Sequence, residues 1–300
     1  MSMFISHNDP KPEDLGSGVV IFRNAVTCDW DKVFDVISEL VDEEFSNMYT
    51  ETTDPETGKP AYANRSGYLF GLDTYMTMPR RASALHLNPR AEVRDLLTEL
   101  EVAKDRCLLK YFAQYPLAYN CVWWKVKGHV VSYSDGVYLG SHSDISAEYI
   151  YGVHRTPQEL ALRSVVSTVT YLNSSVTDTD RTDRNFTEGY HQFNYLKDIS
   201  PIRPEQGSII FFPSNYMAGH EVLPVGTGRR LSYLGWYSQG TPNPEVMEDV
   251  CDPNENPEGA ASSTNVWMPT LREDYRAYLE EAGFDKSSEQ YRVTMINSEG

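Results

Sequence analysis

The sequence has no run of eighteen apolar residues, so it offers no membrane-spanning helix. It is also short of positive charge: 26 Lys and Arg stand against 43 Asp and Glu, a formal net charge of −17. A surface of that sign repels phosphate backbones and anionic headgroups, which argues against nucleic-acid and membrane partners. The same charge keeps a chain soluble. Cysteine is scarce. Cys28, Cys107, Cys121 and Cys251 are widely spaced and form no CxxC pair, which points to reduced, partly buried thiols. The N-terminus, Met1-Ser-Met-Phe-Ile-Ser-His-Asn, lacks the basic start and apolar stretch of a secretory signal, so a cytoplasmic location is expected. The three Asn-x-Ser/Thr sequons at Asn64, Asn173 and Asn185 are then fortuitous. No internal repeat is visible.

What remains is a chain of 300 residues, 40% hydrophobic, enough to bury a full core. Its first third reads as helix plus loop. Trp30, Val33, Phe34, Ile37 and Leu40 recur at helical spacing behind a cap at Thr27 or Asp29. Residues 46–86 are polar and rich in Tyr, Thr, Gly and Pro, as a loop or lid with short strands would be. Asn88-Pro89 opens a second helix with Val93, Leu96, Leu97, Leu100 and Leu108 on its apolar side. From about residue 121 the period changes to two. Short β-rich runs follow at 164–173, 190–196, 207–212, 218–223 and 229–237, each bounded by turn residues. A capping box, Thr156-Pro157-Gln158-Glu159, marks one helix among them. Residues 240–266 are Pro/Asn/Gly/Ser-rich, and a last helix is capped by Thr270 and stopped at Gly283. The pattern implies a mainly β fold with flanking α segments, an antiparallel sandwich or barrel. A single domain is expected over 1–300: an N-terminal helical and lid segment, 1–118, a β core, 119–240, and a C-terminal extension, 241–300.

Two short motifs carry metal chemistry. In Ser141-His142-Ser143-Asp144, positions i and i+2 of a strand share a face, so His142 and Asp144 can bind one metal. An HxD triplet also arises by chance, as a surface histidine near a capping aspartate. The second motif is His220, followed by the turn Pro224-Val-Gly-Thr-Gly228 and by Arg229-Arg-Leu-Ser-Tyr-Leu-Gly-Trp236. His220 and Arg230 are equidistant from Val225, so a symmetric hairpin would set them opposite each other. Arg230 would then share a face with Ser232, Leu234 and Trp236, leaving Arg229 as the exposed hairpin arginine. Two imidazoles and a carboxylate make a facial triad that leaves three positions of an octahedral iron open. A 2-oxo acid can chelate two of these and dioxygen can take the third. A planar guanidinium at Arg230, with the Ser232 hydroxyl, suits the distal carboxylate of that acid.

At this point the sequence resembles the 2-oxoglutarate/Fe(II) oxygenase superfamily, and within it the prolyl 4-hydroxylase-like branch, over about residues 119–237. Four blocks carry the resemblance. They are Tyr133-Ser-Asp-Gly-Val-Tyr-Leu-Gly-Ser-His142-Ser-Asp144, Thr170-Tyr171-Leu-Asn173, Pro204-Glu-Gln-Gly207-Ser-Ile-Ile-Phe-Phe-Pro213, and His220 with Arg230 ten residues on. The resemblance implies a double-stranded β-helix, a jelly-roll or cupin-like barrel. It implies Fe(II) held by His142, Asp144 and His220, with 2-oxoglutarate and O2 as co-substrates. Arg230 would bind the distal carboxylate of 2-oxoglutarate, with Tyr133 and Tyr171 nearby. Two features depart from the branch: a polar insert at 174–187, and Gly189 without a neighbouring glycine. The last 60 residues have no counterpart in it.

The expected reaction is oxidation of a C–H bond in a small organic molecule such as an amino acid or natural-product intermediate, with release of succinate and CO2. A carboxylate at position 144, where related halogenases leave room for chloride, favours hydroxylation, desaturation or ring formation. His191 is read as lining the pocket or, more simply, as a packed core histidine. His129 and His154 have no evident partner. Trp123, Trp124, Tyr149, Tyr151 and Trp236 form either an aromatic pocket wall or ordinary core. Arg65, Arg80 and Arg81 sit in the 46–86 loop, which either closes over substrate or is a solvated connection. Two other function classes remain open. A non-redox metalloprotein such as a zinc hydrolase would need Glu148 or Glu221 as general base, and a binding module would keep the site without turnover.

Overall fold

The computed structural model describes residues 4–65, 69–71, 79–83, 85–145, 164–239 and 265–295. Four short strands come first: β1 (Phe4–His7), β2 (Pro12–Gly16), β3 (Val19–Phe22) and β4 (Val26–Cys28). Helix α1 (Trp30–Met48) leads into a small sheet of β5 (Tyr49–Thr53), β6 (Pro60–Asn64) and β7 (Leu69–Gly71). Then come β8 (Arg80–Ala82), α2 (Ala91–Gln114) and α3 (Pro116–Cys121). The next strands are β9 (Trp124–Tyr133), β10 (Leu139–His142), β11 (Ser164–Tyr171), β12 (Phe186–Glu188) and β13 (His191–Phe193). They are followed by β14 (Ile209–Pro213), β15 (His220–Val222), β16 (Val225–Gly228), β17 (Arg230–Ser238) and β18 (Asn265–Trp267). Helices Leu271–Glu281 and Glu289–Met295 close the described chain.

The helices form where spacing and caps place them. Asp29 caps α1, its carboxylate accepting from Lys32 N at 3.2 Å. Val33, Ile37, Leu40, Val41 and Phe45 make its buried stripe. Helix α2 starts two residues past Pro89 and buries Val93, Leu96, Leu97, Leu100 and Leu108. The Leu271–Glu281 helix starts after Thr270, whose hydroxyl donates to Asp274 at 2.8 Å instead of capping a backbone N–H, and Gly283 follows its end in the left-handed region at φ +73°. The 156–159 capping box and most of 240–266 lie outside the described residues.

The large antiparallel sheet runs β18-β9-β17-β11-β14-β3-β2, with β8 also paired to β9. A small sheet, β10-β15-β13, and the pair β12-β16 stand apart from it. Strand β17 shows how alternation builds the layers. Leu231, Tyr233 and Tyr237 point to the core under α1 and α2. Arg230, Leu234 and Trp236 point the other way and line an internal cavity with residues of the small sheet. The result is a double-stranded β-helix whose large sheet is backed by helices. Strands β2 and β3 join the large sheet from a region read as helix and loop, and β8 is one of the short strands expected within 46–86. Val19 to Phe22 are all fully buried, so they lack the alternation that would have marked them as a strand.

One irregularity in β9 positions a side chain. Tyr233 opposes Val130 and Gly235 opposes Lys127, so Gly128 and His129 together face the single residue Leu234. This β-bulge reverses the alternation of β9. Lys125 approaches Glu101 and Asp105 of α2, whereas Val131 and Tyr133 pack with Leu139 and Val222 on the cavity side. The bulge requires glycine: a Cβ at Gly128 would sit 2.0 Å from the Leu234 carbonyl oxygen. A Gly128→Ala variant is therefore expected to lose roughly 3 kcal/mol of stability, a Tm drop of several degrees in a thermal melt. A variant as stable as the parent would show that the strands can part there at little cost.

Candidate metal centre and co-substrate pocket

His142 ends β10 and His220 begins β15, and the two are direct partners in the small sheet. Asp144 follows two residues after His142. One ligand atom from each of His142, Asp144 and His220 falls within 4.8 Å of the others. His142 Nε2 is 3.7 Å and His220 Nε2 3.9 Å from Asp144 Oδ1. Each ring is fixed from behind: His142 Nδ1 lies 2.8 Å from the Gly140 carbonyl oxygen and His220 Nδ1 3.1 Å from that of Ala218. A carbonyl can only accept, so Nδ1 carries the proton and donates. That tautomer leaves both Nε2 lone pairs directed at the shared space, as metal-binding histidines require. Burial also holds His220 well below the usual histidine range, which keeps it neutral and able to ligate.

The cluster opens onto a cavity lined by Tyr133, His142, Asp144, His191, His220 and Arg230, among others. Arg230 is only 2% exposed. Among the described residues it has no carboxylate partner, and Arg229 takes Asp42 instead with three bonds of 3.0 Å. The Arg230 Cζ lies 5.0 Å from the Tyr133 ring centroid and 5.6 Å from that of Tyr171. Burial lowers the guanidinium's pKa, and the two phenols only partly offset this. Arg230 Nε, Ser232 Oγ, Tyr171 Oη and both ring nitrogens of His191 are sealed from solvent with no hydrogen-bond partner. Unsatisfied buried polar atoms are costly, and a buried cation without an anion more so. A bound dicarboxylate would relieve both, so the residues present fit 2-oxoglutarate as well as the three donors fit Fe(II).

His142, Asp144, His220, Arg230, Ser232, Tyr133 and Tyr171 therefore converge on one region, but not by the expected hairpin. His220 pairs with His142 in the small sheet, whereas Arg230 pairs with Tyr133 of β9 in the large sheet. Pro224 ends the small-sheet strand, Val225–Gly228 pairs with β12, and the chain then enters the large sheet. His220 and Arg230 share a cavity because two sheets face each other, not because they are neighbours in one. His191 does line that cavity, its ring 5.0 Å from His220 and 5.3 Å from Phe212. Its packing and lining roles are both realised.

Other candidates separate. Glu221 accepts from Gln192 Nε2 at 2.8 Å and lies between two cavity-lining neighbours in β15, so its side chain faces away from the cluster. It cannot act there as a general base. Trp236 lines the cavity, whereas Trp124 is buried against Trp267 and Trp123 stacks on Arg272. Arg65 donates to the Asn47 carbonyl at 2.7 Å, and Arg80 bonds Asp42 at 2.6 Å and lies over Phe45. Both are thus tied to α1. Glu148, Tyr149, Tyr151 and His154 lie outside the described residues. Among those described, no helix is long and apolar enough to cross a membrane.

Residues 128–238 match the family model of the 2OG-Fe(II) oxygenase superfamily. No curated protein sequence matches the chain. Among solved structures, the chain is similar to a Trichoplax adhaerens prolyl hydroxylase in complex with a hypoxia inducible factor oxygen degradation domain peptide. Identity is 15%, over 74% of this chain and 84% of that one, with a TM-score of 0.46. A Pseudomonas putida prolyl-4-hydroxylase is 19% identical over 75% of this chain and 94% of its own, with a TM-score of 0.43. A viral collagen prolyl hydroxylase from Paramecium Bursaria Chlorella virus-1, in its 2OG complex, is 17% identical over 75% and 98%, also at 0.43. The matched segment, residues 128–238, holds all seven of the metal and co-substrate candidates, and it is this segment that is similar to the 2OG-Fe(II) oxygenase superfamily, the dioxygenases that use Fe(II), 2-oxoglutarate and O2.

Proposed function

We propose that His142, Asp144 and His220 hold one Fe(II), that Arg230 and Ser232 bind the distal carboxylate of 2-oxoglutarate, and that the enzyme hydroxylates a C–H bond of a small organic molecule. The observation that carries this reading is Arg230, buried in the same cavity as the His–Asp–His cluster with no acidic partner among the described residues. When bound, the iron with 2-oxoglutarate and O2 supplies the oxidising power, and succinate and CO2 leave. The protein positions and shields. The Gly140 and Ala218 carbonyls orient the imidazoles, and Asp144 contributes the cluster's negative charge. Tyr133 and Tyr171 flank the guanidinium and keep it aimed inward. Leu139, Val169, Phe212 and Leu234 line the remaining wall with apolar surface, which keeps water from the reacting centre.

Aerobic incubation with Fe(II), 2-oxoglutarate and a panel of amino acids and other small metabolites tests the reading. The expected result is one substrate that gains a single oxygen with matching succinate. A loss of two hydrogens instead would move the reaction to desaturation or ring formation. Failure of the whole panel to raise succinate above the level without protein would count against an oxygenase.

A further inference from the structure

The barrel contains a second cation with no acidic partner among the described residues, Arg81, on a strand that carries none of the cluster residues. Arg81 lies in β8 directly opposite Val131 of β9. Opposed residues of an antiparallel pair project to the same side of a sheet. Arg81 therefore stands on the cavity side, with His129, Val131 and Tyr133. It is half-buried, and no ion pair or hydrogen bond reaches it among the described residues. Its neighbour in sequence, Arg80, projects to the other side and is held by Asp42.

His129 is brought to the same place by the bulge. In a regular β9 it would fall on the helix side with Lys125 and Lys127; the extra residue at Gly128 turns it toward the cavity. There its ring lies 6.0 Å from that of Trp236, a cavity-lining residue. Its Nε2 is sealed and has no hydrogen-bond partner. Burial, then the nearby Arg81, push the histidine's pKa down to about 3, so the ring is neutral near neutral pH. A guanidinium with no anion among the described residues, a neutral imidazole with a spare nitrogen and an indole thus share one face of β8, β9 and β17. That set complements an acid group joined to an apolar body.

We infer that Arg81, His129 and Trp236 form a substrate subsite that takes the carboxylate of a small organic acid. Arg81 pairs with the carboxylate, His129 hydrogen-bonds to it, and Trp236 covers the adjoining apolar part. This rests on the oxygenase reading and narrows its substrate to carboxylate-bearing molecules.

The test uses protein loaded anaerobically with Fe(II) and 2-oxoglutarate, whose visible charge-transfer band reports events at the iron. Arylalkanoic acids such as 3-phenylpropanoate are titrated beside their primary amides. The acids are expected to perturb the band at concentrations about tenfold or more below the amides. In Arg81→Gln that preference should fall to near parity, and Arg81→Lys should restore part of it. Arg65→Gln, which alters an arginine tied to α1, should keep the full preference. Equal binding of acid and amide by the parent protein overturns the inference, as does a preference that survives in Arg81→Gln. A raised 2-oxoglutarate requirement in Arg81→Gln also overturns it, by assigning Arg81 to the co-substrate. Absence of the band in the parent protein is a separate result: it removes the oxygenase reading itself.

Discussion

An Arg230→Met variant is expected to need about two to three orders of magnitude more 2-oxoglutarate for half-saturation, while the protein without co-substrate becomes more heat-stable. Both halves follow from one fact, a guanidinium 2% exposed with no acidic partner among the described residues. Removing one member of a buried charge pair costs about 3–5 kcal/mol, and each 1.4 kcal/mol is a factor of ten. Without co-substrate the same guanidinium is an unpaired buried charge, and its burial lowers its pKa. Methionine has similar length and no charge, so it should stabilise that state. Titration calorimetry and a thermal melt read the two effects. Opposite signs separate loss of a binding group from general damage, which would lower both affinity and Tm. Unchanged 2-oxoglutarate affinity would remove Arg230 from the co-substrate site.

The second large effect is expected at Asp144. It is the only anion among three donor groups, and both histidine Nε2 atoms approach its Oδ1 within 3.9 Å. Loss of a residue that merely orients a ligand already costs about 10–100-fold in metal affinity. Asp144→Ala removes a ligand and its charge, so iron affinity should fall by more than about 100-fold. Succinate formation should vanish at iron concentrations that saturate the parent protein. Metal analysis after desalting, together with a succinate assay, checks this. Parent-like iron retention in Asp144→Ala would mean that the cluster is not the metal site.

The parts of this site that were legible in the sequence are the local ones. His142 and Asp144 are two residues apart, and strand geometry alone puts them together. The five β-rich runs from 164 onward correspond to β11, β13, β14, β15 and β17, because turn residues bracket them. The two long helices show their apolar stripes and the caps or breakers before them. What stayed hidden depends on pairing between distant segments. The turn at 224–228 looks like a hairpin, yet whether its arms share a sheet is decided by β9, β10 and β12, which compete for them. β3 is apolar at every position because both its faces are buried, which erases the period-two signal. Gly128 is visible in the sequence, but its consequence for His129 appears only once Leu234 lies across from it. Arg81 sits in a polar stretch that reads as a lid, and its position follows only from the β8–β9 pairing.

The most direct measurement is anaerobic titration of the Fe(II)-loaded protein with 2-oxoglutarate, followed by visible absorption. The parent protein should develop a charge-transfer band that saturates with a single iron per chain. His220→Ala and Asp144→Ala should give no band, and Arg230→Met should give one only at far higher 2-oxoglutarate. A parent protein without the band, or a band of equal strength in the His220 and Asp144 variants, would contradict the account.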